Sequence, residues 1–390
     1  MRFVIFSAQY LPTVGGVERY TANLAQTLTE LGHDVTVVTS RLPQTLAHER
    51  VDGVELVRLP SWLWLAGRFP VPRPGRVSRT GMDRALTAPV DLVVVNTRFW
   101  VLSLWAARRC GRRGLPTVVV EHGTGWLTLG SPLVDVAVRL YERLALAWVR
   151  RTGAPFYAVS KAGTQWLRQL GVSPAGVLSN AVDAARVQAV AAGPGWDART
   201  ALGIDRDAPM VAFVGRIIPE KGIRELVAAM AQLRQERPDA VLVAAGDGPL
   251  RAGLTAAASP GVLFTGPLDH DRTLRLTAQA DVLCLPSYSE GFSTVVLETA
   301  ALGTPMVTTP TGGTLEIVVD DDHGLLLPDL QPQTIASALD RALGDPQWRR
   351  RAGELCRARV EAEMTWQHTA EQLVALARDR TSGAQPAGPA

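Results

Sequence analysis

Lysine is nearly absent from this 390-residue chain. Only Lys161 and Lys221 stand among 40 basic residues, the rest being arginine. Arginine number alone therefore says little, whereas a retained lysine marks a place where a compact ammonium has a use. Cysteine is scarce too, with Cys110, Cys284 and Cys356 odd in number and far apart. That excludes a disulfide framework and a CxxC metal site, so a reducing cytoplasm is expected. No uncharged apolar run approaches the length that crosses a bilayer. Met1–Phe6 runs straight into strand-like sequence, without the n-region, h-region and cleavage site of a secretory leader. No His/Cys/Asp cluster has metal-ligand spacing, so no metal is expected.

What is present is a core-forming chain: 47% hydrophobic and 20% charged residues exclude a disordered or collagen-like polymer. The length predicts two domains. Their charges differ, since residues 1–190 carry 22 basic and 12 acidic side chains and residues 191–390 carry 18 and 25. Short Val/Ile/Leu-rich runs (Arg2–Ser7, Asp34–Thr39, Leu92–Asn96, Thr117–Val120, then Met210–Val214, Ala240–Ala245, Val282–Leu285) alternate with segments of helical period. This is the pattern of βαβ units and parallel sheets. Gly193-Pro194-Gly195 interrupts it and reads as a linker. The expectation is an α/β chain with two Rossmann-like parallel-sheet domains, 1–190 and 191–365, facing a central cleft. Residues 366–390 would add a C-terminal helix and a frayed tail from Thr381.

In such sheets ligands lie beyond the carboxyl ends of strands, where glycine-rich loops open into helices. Three loops fit. Gly15-Gly16 precedes Val17-Glu18 and a helix. Paired glycines there let backbone N–H groups approach an anion, or merely make a tight turn. The GxGxxG fingerprint is absent, which disfavours a dehydrogenase. The second loop is Gly215-Arg216-Ile217-Ile218-Pro219-Glu220-Lys221-Gly222. Its guanidinium and ammonium suit a diphosphate approached from two directions, the plainer alternative being two solvated charges. The third, Pro286 to Thr294, carries Glu290 before a helix and leads to Glu298 one turn inside it. One carboxylate suits sugar hydroxyls and the other a ribose diol, with the N–H groups of Ser293, Thr294 and Val295 facing phosphate. A surface acid and a paired core acid are the alternative.

Glu290 and Glu298 with seven residues between them, the Gly215–Gly222 loop, and Ala280-Asp281-Val282 leading to Pro286-Ser287 together resemble a retaining glycosyltransferase of the GT-B fold, family 4 type. Gly15-Gly16, Asn180-Ala181-Val182-Asp183, Gly246-Asp247-Gly248-Pro249 and Thr311-Gly312-Gly313 with Glu316 extend the likeness over nearly the whole chain. The family usually has glycine where Ala181 stands and often where Ser293 stands.

The resemblance implies hexose transfer from a nucleotide-diphosphate sugar, a UDP-sugar before GDP-mannose, with no other cofactor. The donor would bind the second domain and a glycan acceptor the first. Arg216 and Lys221 would hold the diphosphate, Glu298 the ribose, and Glu290 with Gly291 and Phe292 the sugar. Gly15 and Gly16 would meet the phosphates. His122, in Glu121-His122-Gly123, would act on the donor sugar or else pack at a strand end. A nucleotide-sugar epimerase, a hydrolase and a non-catalytic sugar-nucleotide-binding module are the competing classes.

No acid occurs between Glu55 and Asp83, whereas Arg58, Arg68, Arg73, Arg76 and Arg79 interleave with Trp62, Leu63, Trp64, Leu65 and Phe69. Arg108, Arg109, Arg112 and Arg113 add a second basic cluster. Rings among cations suit an anionic bilayer. Pro70, Pro72 and Pro74 limit the 58–79 segment to a short helix plus a loop. It would dock the chain peripherally on the inner membrane face, toward a lipid-linked acceptor of polysaccharide biosynthesis; otherwise the tryptophans pack on their own core. A soluble small-molecule acceptor is the alternative substrate. No nucleic-acid motif accompanies the arginines, so nucleic acid is not an expected partner.

Overall fold

The computed structural model describes residues 1–13, 15–64, 69–127 and 131–381, which form two compact units. Val14, Leu65, Arg68 and the expected tail beyond Thr381 lie outside the described residues.

The first unit comprises Met1–Asn180 and the segment from Trp366 onward. Its strands are β1 (Arg2–Phe6), β2 (Asp34–Ser40), β3 (His48–Val51), β4 (Val54–Leu59), β5 (Ser61–Trp64), β6 (Phe69–Pro72), β7 (Leu92–Asn96), β8 (Thr117–Glu121), β9 (Phe156–Ala158) and β10 (Pro174–Val177). Its helices are α1 (Gly16–Glu30), α2 (Arg76–Ala85), α3 (Val101–Arg112), α4 (Pro132–Arg150), α5 (Lys161–Gln169) and the C-terminal helix Trp366–Thr381. The main sheet runs β10-β9-β8-β7-β1-β2-β4-β3, parallel except for edge strand β3. Phe3–Phe6 and all of β7 and β8 are buried, as unbroken apolar strands covered on both faces must be. Each large side chain removed from water there contributes about 1.5–3 kcal/mol. Tyr20 of α1 meets Trp366 edge-on with ring centroids 5.4 Å apart, which helps seat the C-terminal helix on this unit.

The second unit, Ala181–Thr365, contains α6 (Ala184–Ala192), α7 (Ala198–Leu202), α8 (Ile223–Glu236), α9 (Arg251–Ala256), α10 (His270–Gln279), α11 (Thr294–Leu302), α12 (Pro332–Gly344) and α13 (Pro346–Glu363). Its strands are β11 (Met210–Val214), β12 (Val241–Ala245), β13 (Val262–Gly266), β14 (Val282–Leu285), β15 (Met306–Thr308) and β16 (Leu325–Leu326). They pair in the order β13-β12-β11-β14-β15-β16, all parallel. Both units are thus doubly wound. Strand direction of travel across the sheet reverses between β1 and β7 in one and between β11 and β14 in the other.

Two expectations are corrected. The units divide at 180/181, not at 190, and the Gly193–Gly195 break lies inside the second unit. There α6 packs on α10 and α11, and Arg275 of α10 donates from Nη1 to Gly193 O and from Nη2 to Pro194 O. Glycine and proline make a helix-to-helix turn here, so their composition does not mark a linker. The 58–79 segment is not a short helix plus a loop. It forms the antiparallel pair β5–β6, followed by the start of α2. Prolines sit comfortably at the end of so short an edge pair. Arg58 is drawn inward on β4 and paired with Glu49.

Candidate active site

Strands β11 and β14 are neighbours, so the loops that leave their carboxyl ends emerge side by side at the switch point of the second sheet. The first passes Gly215 and Arg216 into a 3-10 turn, Pro219–Lys221, and then α8. Backbone fit holds it. Ile217 N donates to Asp247 O at 2.8 Å, and a Cβ on Gly248 would stand 2.4 Å from Ile217 O. The Gly246–Gly248 motif therefore clamps the arginine loop by letting two backbones touch. Gly222 has φ 64° and its Cβ would fall 1.9 Å from Pro286 O, so only glycine lets α8 start against the second loop.

Across these loops Lys221 Nζ pairs with Glu290 Oε1, and Ser287 Oγ donates to the same oxygen at 2.9 Å. Lysine and glutamate, expected to serve phosphate and sugar separately, hold each other here. Arg216 is exposed, and its guanidinium makes no ion pair or hydrogen bond among the described residues. Phe292 is buried, and Gly313 N donates to Gly291 O at 2.9 Å. A Cβ on Gly313 would lie 2.4 Å from the Phe292 ring, so the glycine pair of the 311–313 turn makes room for Gly291 and Phe292. Ser293 takes the N-cap position of α11 without a capping bond from its hydroxyl, ahead of Thr294. Glu298, one turn in, accepts from or shares a proton with His270 Nε2 at 2.8 Å. No local motif points to His270, 28 residues away on α10. A cavity of about 620 Å³ lies beside Ser287, Tyr288, Thr309 and Thr311, and its lining includes neither Arg216 nor Lys221.

In the first unit His122 follows β8. Its Nε2 lies 3.0 Å from Asn96 Oδ1, and its ring meets Tyr20 edge-on at 4.7 Å. Thr21 Oγ1 donates to Val17 O at 2.7 Å, so it must accept from Asn96 Nδ2 at 2.8 Å. That orients the Asn96 amide with its oxygen toward His122, which places the imidazole proton on Nε2 and leaves Nδ1 as an acceptor. Desolvation pushes the His122 pKa down to about 3, so the ring is neutral at ordinary pH. Next to it, buried Arg98 bridges Glu121, at 2.6 Å, and Glu142. Glu121 Oε1 accepts from Gly123 N at 3.1 Å and Glu142 Oε1 from Leu127 N at 2.9 Å. Burial, the dominant influence, raises the Glu142 carboxyl above its usual range. This three-residue bridge fixes the loop that carries His122.

At the Gly15-Gly16 loop the side chain of Glu18 folds back, with Oε2 2.4 Å from where a Gly15 Cβ would stand. Gly15 thus makes room for a buried acid whose carboxyl is raised by desolvation. A Cβ on Gly16 would meet nothing within 4 Å. Asp320, Asp321 and Asp322 are exposed and paired with His323, Arg341 and Arg351. Among the described residues no group of three or more His, Cys, Asp or Glu is placed to hold a metal ion. No helix among them is long and apolar enough to cross a membrane.

Comparison with known proteins identifies the family. The profile "Glycosyl transferases group 1" matches residues 195–359, and "Glycosyltransferase Family 4" matches residues 14–186. The D-inositol 3-phosphate glycosyltransferase of Frankia alni is 30% identical over 412 residues, covering 95% of this chain and 96% of that protein. The glycogen synthase of Mycobacterium tuberculosis is 28% identical over 418 residues, covering 97% and 95%. The solved sucrose-phosphate synthase of Thermosynechococcus elongatus has a TM-score of 0.76 at 25% identity, covering 98% of this chain and all of that one. The chain belongs to the GT-B glycosyltransferases of family 4 type.

Proposed function

We propose that this glycosyltransferase moves a hexose from a nucleotide-diphosphate sugar, a UDP-sugar in preference to GDP-mannose, to a glycan acceptor. In this reading the acceptor is lipid-linked at the cytoplasmic face of a membrane. Transfer retains the anomeric configuration and uses no metal. The observation that carries the donor reading is the Lys221–Glu290 pair, joining two switch-point loops beside an Arg216 whose charge has no partner among the described residues.

The chemistry follows from exchanging partners. An incoming diphosphate competes with Glu290 for Lys221, and Arg216 adds a planar fork for the same anion. Glu290, once released, accepts from sugar hydroxyls, with the backbone at Gly291 and Phe292 beside it. Ser293 and Thr294 bring the N-terminus of α11 toward phosphate, and Glu298, steadied by His270, takes the ribose diol. As the bond from sugar to diphosphate breaks, positive groups already in place stabilise the departing charge, which is the role a metal would otherwise fill. The acceptor oxygen bonds on the face the diphosphate leaves and passes its proton to the departing phosphate oxygen. His122, neutral and presenting Nδ1 as acceptor, takes a hydrogen bond from a substrate hydroxyl. Gly16, open on one side, offers its amide to phosphate; Gly15 is committed to Glu18.

Melting temperature measured with UDP, GDP, ADP and their sugars tests this, because a ligand that binds only the folded chain raises it. One nucleotide series should stabilise the protein, and its sugar should be hydrolysed slowly without acceptor. No shift with any of them removes the donor reading; a shift without turnover leaves a binding module. A soluble acceptor is the second reading. It is favoured by the 30% identity to a relative whose name specifies inositol 3-phosphate. Labelled sugar appearing in water-soluble product, not in extracted lipid, would decide for it.

A further inference from the structure

Helix α4 leaves an apolar stripe uncovered. Leu133, Val136, Leu140, Leu144 and Trp148 recur at three- and four-residue spacing and share a face. All are exposed, from 86% at Leu133 to 40% at Trp148. At 1.5 Å per residue the stripe runs about 22 Å. An apolar surface of that extent marks a contact site.

The surrounding charge identifies the contact. Arg139, Arg143 and Arg150 are exposed on the same helix; of its two acids, Glu142 is buried against Arg98 and Asp135 is half-buried in the first turn. At its far end the stripe meets a basic cavity. The Arg108 guanidinium lies 4.7 Å from the Trp148 ring centroid. Arg108 also lines, with Arg79, Arg109 and Arg112, a cavity of about 320 Å³ between α2 and α3, beside Met82 and Trp105. Arg109 is paired with Asp83, which Arg113 shares. Arg79, Arg108 and Arg112 have no carboxylate partner among the described residues. Like charges gathered around a cavity are stabilised by an anion, and guanidinium forks match phosphate.

We propose that α4 and the arginine cavity form a docking surface for an anionic phospholipid bilayer. The stripe lies in the plane of the interface and the cavity takes a headgroup phosphate. The β5–β6 pair is a secondary contact: Phe69, cross-strand partner of Trp64, has its ring 6.3 Å from Tyr141 of α4. This rests on the membrane-facing reading above and assigns its surface. Donor binding is measured separately, so the two can fail apart.

The test is flotation of the full chain with phosphatidylcholine vesicles, with and without phosphatidylglycerol. The chain should float only with the anionic vesicles. Leu140→Glu with Leu144→Glu should lower partitioning at least tenfold, by setting carboxylates against the bilayer. Arg79→Ala with Arg112→Ala should lower it about 25-fold, at about fivefold for each cation near the surface. Trp62→Ala with Trp64→Ala should change it less than either. The nucleotide-sugar melting shift should survive in every variant. Leu133→Glu, near the start of the helix, repeats the test should the leucine pair fail to fold. Equal binding to neutral vesicles overturns the proposal, as does full binding by the α4 variants. So does protection of the cavity arginines by inorganic phosphate without flotation. A wild-type dimer that Leu144→Glu makes monomeric, with no vesicle binding, would assign the stripe to a second copy and overturn it too.

Discussion

Lys221 and Glu290, 69 residues apart in sequence, form an ion pair across the loops that follow β11 and β14. Both are half-buried, at 17% and 14% exposure. In the proposed reading, this pair keeps a donor site closed until a diphosphate displaces Glu290 from Lys221.

Lys221→Ala should therefore do more harm to transfer than to folding. Loss of one preorganised positive group costs about 10²–10³ in rate. The pair itself, partly reached by water, contributes at most about 1 kcal/mol to stability. Steady-state transfer kinetics beside a chemical denaturation curve would separate the two. A stability loss of several kcal/mol with near-normal kcat/KM would contradict the assignment.

Glu298→Gln keeps the shape of the side chain and can still bond His270 Nε2, so folding should be almost unaffected. The amide is a poorer acceptor for a diol. The melting shift produced by the nucleotide alone should shrink, and rise in KM should exceed any fall in kcat. His270→Ala should produce the same pattern in milder form, because it removes the support and leaves the carboxylate.

His122→Ala should slow transfer while leaving the nucleotide shift largely intact. The pH dependence is specific. The folded ring titrates at about 3 and the unfolded one at 6.5, so below 6.5 the unfolded chain binds the extra proton. Stability due to this group is full above pH 6.5 and is lost as pH falls toward 3, by up to about 1.4 kcal/mol per unit. Denaturation curves from pH 7 to pH 4 should fall less steeply for His122→Phe than for the wild type. An identical slope would show that the ring is not held neutral.

Gly222→Ala places a Cβ 1.9 Å from Pro286 O on a backbone with φ 64°. The left-handed conformation alone costs about 1–2 kcal/mol, and the clash must push the second loop away. Expected are a lower melting temperature and a weakened response to nucleotide. Gly16→Ala, with nothing within 4 Å of the new methyl, should melt as the wild type does.

The sheets were legible because buried parallel strands are written as apolar runs: β7, β11 and β14 start and stop where composition does. The boundary at 180/181 was not, since Gly193-Pro194-Gly195 carries linker composition while Arg275, 82 residues beyond Gly193, ties it down. The β5–β6 pair was missed because prolines argue against both helix and strand until an edge is available. Loop motifs around Arg216, Lys221 and Glu290 could be read locally, as residue type plus glycine spacing. His270 and the Arg98–Glu121–Glu142 bridge could not, because only tertiary packing brings them to their partners. The α4 stripe was present as a period in the sequence, but periodicity does not tell a covered face from an open one.

The second unit is entered and left by adjacent chain segments: Val182 N donates to Met364 O at 3.0 Å, and Val182 makes an isolated parallel bridge with Thr365. Cutting the gene after codon 180 would therefore yield an incomplete product, deprived of the helix whose Trp366 abuts Tyr20. Residues 181–365, by contrast, make an uninterrupted cassette with its two ends in register. It is the natural piece to exchange between relatives in asking whether donor preference travels with it.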